Sequence, residues 1–318
     1  MDVITVHENE LVITQQAPVC FGFSPTYYED YISYIEVSEK TIETYTRALR
    51  QFARFLENHN ITLPEREHVI RYKKQLIEEG KEPTTISSYL NVVKCFFKWT
   101  ASAGIYPNVA DNVKGVKVSG EHKRDYFTVK QINEILGAIN RETLKGARDF
   151  AIIYLMATCG LRTIEVTRAN VNDLRPIGER MAIYVQGKGH NAKDNFVIMP
   201  ENTEHYIREY LKKRTDTGNN APLFASVSNR SRGGRMTTRS IRRIVHEHIE
   251  EIGFNDRRHT AHSLRHSAVT IALKSGQSLE EAQEFARHSN ISTTMIYNHA
   301  LKKENNNCSN VVSSALDF

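Results

Sequence analysis

Residues 147–160, "ARDFAIIYLMATCG", carry apolar side chains around almost the whole circumference of a helix and end at Gly160. A helix without a polar face cannot lie on a surface, so other elements must enclose it. The stretch therefore predicts a buried core helix that stops at the glycine. The residues that follow, "GLRTIEV", set Arg162 just behind that helix, with Glu165 three residues on, on the same face if the helix continues.

At 318 residues the chain exceeds what one core usually organises, and two domains are expected. Residues 1–24 show no sustained periodicity and read as a poorly ordered or extended lead-in. Residues 25–114 read as a small helical bundle. There "SEKTIETYTRALRQFARFLEN" opens on a capping residue, Ser38, and brings Ile42, Tyr45, Leu49, Phe52 and Leu56 to one face. A weaker stripe of Ile70, Leu76 and Ile77 predicts a helix over 65–79, ended by Gly80. "TTISSYLNVVKCFFKWTASAG" predicts another, with Ile86, Tyr89, Val93, Phe96 and Phe97 inward and Lys94 and Lys98 on a different side. The basic stretch 115–124, "GVKVSGEHKR", has no apolar period and reads as an interdomain linker.

Residues 125–304 read as the second domain. Thr128 caps a helix with Val129, Ile132, Ile135, Leu136 and Ile139 on one face. "MAIYVQGKGHNAKDNFVIMP" carries the clearest β signal, two β-rich runs around a polar turn, with Lys188 at the hairpin tip. Helical patterns return near 203–213, 238–252, 263–274 and 278–287. The expected fold is mainly α, with a small antiparallel β-sheet (α+β) in the second domain and an N-terminal helical bundle.

Composition narrows the setting. Apolar content of 40% with 25% charged residues describes a soluble globular protein, and no apolar run approaches the roughly 18 residues needed to cross a bilayer. The start, "MDVITVHENE", lacks the features of a secretory signal, and Cys20, Cys95, Cys159 and Cys308 are scattered without a CxxC pair. Both point to a cytoplasmic, reducing location. Net charge is only +5, but residues 229–243, "NRSRGGRMTTRSIRR", hold six arginines and no acid, as phosphate neutralisation requires. Such a block is otherwise a solvated face.

Candidate chemistry falls in the second domain: Arg162 with Glu165, Lys188 in "GKG", His262 and Arg265 in "AHSLRHS", then His288 and Tyr297. Each has a plain alternative as a salt bridge, a turn, a cap or a packing residue. His259, His262 and His266 stand at metal-ligand spacings, but no HExxH pattern, carboxylate or cysteine completes a set. A tyrosine hydroxyl, with a pKa of about 10, is no nucleophile by itself at neutral pH. Together, however, two arginines, a lysine and two histidines suit one phosphate, and Tyr297 supplies an oxygen nucleophile. With no Walker loop and no acidic cluster for magnesium in the sequence, fixed cations would replace a metal, and no cofactor is expected.

The segments "GLRTIEV", "GKGHNAKD", "AHSLRHS" and "ARHSNISTTMIYNH" resemble the catalytic boxes of the tyrosine recombinase (phage integrase) family, "GLRxSEL", "GKGxK", "HxLRH" and "LGHxxxxTTxxYxH". The resemblance covers about 160–300 with every box in order, and over 25–120 is one of architecture, a helical core-binding domain ahead of a catalytic one. It implies a site-specific DNA recombinase that cleaves and rejoins duplex DNA through a 3′-phosphotyrosine, without metal or ATP. Tyr297 would be the nucleophile, Arg162 and Arg265 the phosphate clamp, and Lys188 the general acid. His262 would accept or shuttle the nucleophile's proton, His288 would hydrogen-bond the phosphate, and Glu165 would support the site.

The resemblance also implies DNA contacts from Arg239, Arg242 and Arg243, and from the helix over 84–99 through Lys94 and Lys98. The partners it implies are double-stranded DNA bearing a recombination site and three further copies, a homotetramer on two paired sites. The tail, 305–318, bears Val311, Val312, Ala315 and Leu316 and would pack into a neighbouring protomer or simply fray. Two departures stand out. Arg287 replaces a common family glycine, which bears on the local turn, and the longer hairpin leaves Lys193 as a second candidate general acid. The lead-in and hairpin favour a mobile-element integrase over a Xer-type chromosome or plasmid dimer resolvase. The rivals are a type IB topoisomerase, a DNA-binding protein without cleavage activity, and a metal-dependent hydrolase.

Overall fold

The computed structural model describes residues 2–7, 10–15, 25–117, 125–187, 192–254, 256, 258–304 and 306–316. The chain divides into two compact units, Met1–Gly120 and Glu121–Phe318.

In the first unit, β1 (Asp2–His7) and β2 (Glu10–Gln15) form an antiparallel ribbon with Asp2 opposite Gln15. Sequence periodicity gave no element here, yet "VITV" and "LVIT" are rich in β-branched residues. Residues 16–24 of the lead-in and 118–124 of the linker lie outside the described residues. Four helices follow: α1 (Pro25–Tyr34), α2 (Glu39–Asn58), α3 (Arg66–Glu78) and α4 (Pro83–Ser102). Ser38 caps α2 by accepting from the Thr41 N–H, and Leu49, Phe52 and Leu56 are buried as expected. Phe52 stands edge-on to Tyr72 at 5.0 Å and to Phe97 at 5.9 Å, so α2, α3 and α4 meet through aromatic rings. One expectation fails. Ile77 is 50% exposed, because α3 buries Val69, Tyr72 and Leu76, a stripe that passes one position to its side.

The second unit runs α5 (Val129–Ala138), α6 (Leu144–Cys159), α7 (Thr163–Arg168), β3 (Leu174–Ile177), β4 (Arg180–Val185), β5 (Asn195–Ile198) and α8 (Glu201–Lys212). It continues through α9 (Thr238–Glu251), α10 (Ala261–Lys274), α11 (Leu279–Ala286), α12 (Ile291–Glu304) and α13 (Cys308–Ala315). The helix without a polar face, α6, is enclosed as its composition demands, with α5, α8, α9 and α10 packed against it. Strands β3, β4 and β5 form an antiparallel sheet in that order, and β3 tolerates Pro176 because it is an edge strand. Val129, expected inward, is instead exposed at the first position of α5.

A smaller apolar cluster joins Val269 of α10, Ala282 and Ala286 of α11, and Tyr297 of α12. Residues 291–300 gave no helical signal because the inward stripe of α12 is Thr294, Tyr297 and Leu301, with a threonine in an apolar slot. That cluster fixes where the tyrosine sits.

Candidate active site

Two helix ends build the site. Gly160 closes α6 in the left-handed conformation, φ 58°, and Arg162 then serves as N-cap of the separate short helix α7. The Glu165 carboxylate accepts from the Arg162 backbone N–H at 2.7 Å and from its guanidinium at 2.8 Å. The core helix stops at Gly160 as expected, and Arg162 and Glu165 are joined by a capping box at the start of the next helix. At the second end, α11 closes at Arg287, also left-handed with φ 53°. The turn for which the family pattern uses glycine is therefore kept here with an arginine.

Carbonyls at helix C-termini have no partner within the helix and carry partial negative charge. Arginines take them up here. Arg265 donates to the Gly160 carbonyl at 2.5 Å and to that of Ala286, while Arg162 donates to the Arg287 carbonyl at 3.1 Å. Consecutive carbonyls, 286 and 287, thereby hold the two guanidinium groups side by side.

The electrostatics are lopsided. Arg265 is 1% exposed and, among the described residues, has no carboxylate within ion-pair distance. Burial, then the charges of Arg162 and Arg287, pull its pKa down to about 9. Glu165 is buried, which opposes ionisation, but Arg287 and Arg162 outweigh this and hold it below the usual carboxylate range. His288 places Nδ1 2.9 Å from the hydroxyl of the buried Thr294. Burial, then Arg265, Arg162, Arg287 and His262, push its pKa to about 4, so its ring is neutral at pH 7. Tyr297 is 3% exposed, with its ring 4.4 Å from that of His266 and 6.1 Å from that of His288. Burial raises the pKa of its phenol, and Arg265 and Arg162 oppose the rise. The region holds an excess of fixed positive charge around a protonated tyrosine.

The structure thus brings Arg162, Glu165, Arg265, His288 and Tyr297 together. His262 is exposed on the first turn of α10 and lies within the field that lowers His288. Lys188 lies outside the described residues. Lys193 is committed elsewhere, in an ion pair with the buried Asp173. Arg168 donates to the carbonyl of Gly187, the residue before Lys188 in the chain, at 2.9 Å. Among the described residues, no three His, Cys, Asp or Glu side chains gather as metal ligands, and His259 packs instead against Phe127 and Phe254.

The cationic segments divide. Arg239, Arg242 and Arg243 are exposed on α9, with Arg243 3.3 Å from Glu247. Arg235 of the same block instead binds the carbonyls of Thr167 and Ala169. On α4, Lys98 is exposed and Lys94 half-buried. Sequence reading passed over Arg47, Arg50 and Arg54, exposed on α2 at spacings of three and four beside a shallow hollow. Their signal was available as the complement of the apolar stripe. It also assigned no role to Thr294, and none to His266 beyond a metal ligand.

A mainly helical chain of two units with these boxes is of the class that cleaves DNA strands and rejoins them. Residues 125–304 match the phage integrase family and residues 28–105 the phage integrase N-terminal SAM-like domain, so the chain belongs to the phage integrase, or tyrosine recombinase, family. A tyrosine recombinase of Synechococcus elongatus is 27% identical over 260 residues, 80% of each chain. Tyrosine recombinase XerD of Oceanobacillus iheyensis is 26% identical over 287 residues, covering 86% of this chain and 93% of that one. Among solved structures, the XerH site-specific recombinase in a post-cleavage complex with a palindromic difH substrate has a TM-score of 0.69 at 20% identity. That alignment covers 83% of this chain and 78% of XerH. No helix among the described residues is long and apolar enough to cross a membrane.

Proposed function

We propose that this chain is a site-specific recombinase that integrates or excises a mobile element by cleaving and rejoining duplex DNA at a defined sequence. What carries the reading is the setting of Arg265, a buried cation held by carbonyls alone, beside Arg162 and a buried tyrosine. An uncompensated buried charge is unfavourable unless an anion completes it, and a phosphodiester fits two guanidinium forks. The XerH site-specific recombinase, with the same fold, was captured in a post-cleavage complex with a palindromic difH substrate.

In the proposed reaction the Tyr297 oxygen attacks the scissile phosphorus and displaces the 5′-oxygen. The phenolic proton passes to His262, and Lys188 protonates the departing oxygen. Arg162 and Arg265 hold the non-bridging oxygens, and neutral His288 adds a hydrogen bond. A 5′-hydroxyl from a second duplex then attacks the 3′-phosphotyrosine, which frees Tyr297 and restores a phosphodiester. Each bond broken is replaced by one of like energy, so no nucleotide is consumed.

Residues 25–114 and 125–304 act as core-binding and catalytic domains on one duplex, joined by 115–124, in the cytoplasm. Arg239, Arg242, Arg243, Lys94 and Lys98 contact DNA, and four copies assemble on two sites. Val311, Val312 and Leu316 are 63%, 59% and 59% exposed on and beside α13, as a tail that packs into a neighbour requires. A second reading, a Xer-type dimer resolvase, is favoured by the likeness to XerD. The test is strand exchange between two labelled copies of the DNA flanking the gene. Exchange supports a recombinase, whereas relaxation of any supercoiled plasmid without exchange identifies a topoisomerase. Exchange at a chromosomal dimer-resolution sequence would favour the second reading.

A further inference from the structure

Arg287 stands at a backbone position that disfavours it. Among the described residues, three non-glycine positions have positive φ, and the other two, Asn60 and Asn112, are of the type that tolerates it. Glycine would close α11 without strain. An arginine persists there only if its side chain contributes something.

Its guanidinium is 10% exposed and donates to Glu165 Oε2 at 2.9 Å, to the Gly160 carbonyl at 3.1 Å and to the Phe285 carbonyl at 2.9 Å. The first partner is the carboxylate that orients Arg162, and the second is the carbonyl that holds Arg265. Its own carbonyl accepts from Arg162. One residue thus touches the supports of both clamping arginines.

Charge points the same way. Glu165 accepts twice from Arg162, and Arg287 adds a second cation to the same buried carboxylate. Around Glu165, Arg162 and Arg265 leave one net positive charge and Arg287 raises it to two, apart from Lys188, whose proton is spent on the departing oxygen. The added charge lies beside the two clamping guanidinium groups, where it opposes the extra negative charge of the pentacoordinate transition state.

Resting on the recombinase reading above, we propose that Arg287 is a third arginine of the cleavage site. It is a positioning residue that fixes Arg162 and Arg265 through their shared partners and adds positive charge against the negative charge that develops in the transition state. It acts on the chemical step and not on DNA binding.

The experiment is single-turnover adduct formation by the full chain at saturating DNA, on half-sites with either an ordinary scissile phosphate or a methylphosphonate. The methylphosphonate carries one negative charge fewer throughout the reaction. Arg287→Gly relieves the strained backbone, so it should fold, and thermal melting checks this. On the phosphodiester it should cleave about tenfold to a hundredfold more slowly than wild type at unchanged DNA affinity, below the roughly hundredfold to thousandfold for a donor that touches the reacting oxygen, because Arg287 acts through its neighbours. On the methylphosphonate the deficit should shrink to about threefold or less, since the charge to be matched is smaller. Arg287→Lys, which keeps the charge without the fork, should outpace Arg287→Gly on the phosphodiester.

A wild-type rate in Arg287→Gly overturns the proposal. So does an equal loss on both substrates, which marks a merely structural role, or a lysine variant no faster than the glycine one. Wild type and Tyr297→Phe, assayed alongside, separate the two failures. If wild type forms no adduct the recombinase reading falls, and if wild type forms it, Tyr297→Phe does not, and Arg287→Gly runs at wild-type speed, this inference alone falls.

Discussion

Thr294 and His288 face each other across the start of α12, the threonine hydroxyl 2.9 Å from His288 Nδ1. The imidazole is neutral and one of its nitrogens is fixed by a buried residue. The other is thereby committed to whatever enters the site. Thr294→Val keeps the shape and removes the partner. Stability should fall by about 1 kcal/mol, as for one lost hydrogen bond. The cleavage rate should fall with DNA affinity unchanged, as read by single-turnover cleavage alongside equilibrium binding. A wild-type rate would remove Thr294 from the site.

The depressed pKa of His288 also fixes a sign. In the folded chain the ring gains its proton near pH 4, whereas unfolded it does so at about 6.5. Between those values the unfolded state binds more protons, so this residue makes folding weaken as pH falls through that window. His248 is shifted the other way, since its hydrogen bonds to Asp149 and Glu251 outweigh burial, and its contribution is common to both proteins in the comparison. Denaturant unfolding at pH 7 and pH 5 should show wild type losing more stability than His288→Gln. Equal losses would mean that His288 is not held neutral.

Gly160 carries two demands at once. Its φ of 58° excludes most side chains, and an added Cβ would meet the Phe285 ring at 3.1 Å. Its carbonyl anchors both Arg265 and Arg287. Gly160→Ala should cost about 1 to 2 kcal/mol through the left-handed backbone alone, and thermal melting reads it. Cleavage at a temperature where the variant is fully folded should fall as well. An unaltered rate there would show that the clamp does not depend on this helix end.

The exposed arginines of α2 offer a test of the first unit. If Arg47, Arg50 and Arg54 lie on DNA phosphates, replacing all three by alanine should reduce the salt dependence of binding. The log–log slope should fall by about 0.9 for each phosphate no longer neutralised. The measurement is DNA affinity across a salt series, with Lys94→Ala/Lys98→Ala in parallel. An unchanged slope in the triple variant would take α2 off the DNA.

How much of this was legible beforehand depended on what each residue had to do. The helix apolar on every side, α6, admits one reading, and Arg162, His262 and His288 stand at helix ends marked by Gly160 and by capping residues. The burial of Tyr297 was hidden, because α12 presents Thr294 where a helical stripe should show an aliphatic residue. Arg287 drew notice as a departure, yet its contacts with Glu165 and Gly160 depend on a side chain folding back from a left-handed turn, which spacing does not encode. Ile77 and Val129 were misplaced because each lies at the margin of its stripe, where one position decides between core and solvent.

In the proposed reaction Tyr297 becomes covalently joined to DNA. A nicked half-site whose short strand diffuses away after cleavage traps that state, and denaturing electrophoresis separates the protein–DNA adduct. Wild type should form it without added metal or ATP, and Tyr297→Phe should form none. An adduct that persists in the Tyr297→Phe protein would contradict the assignment of the nucleophile.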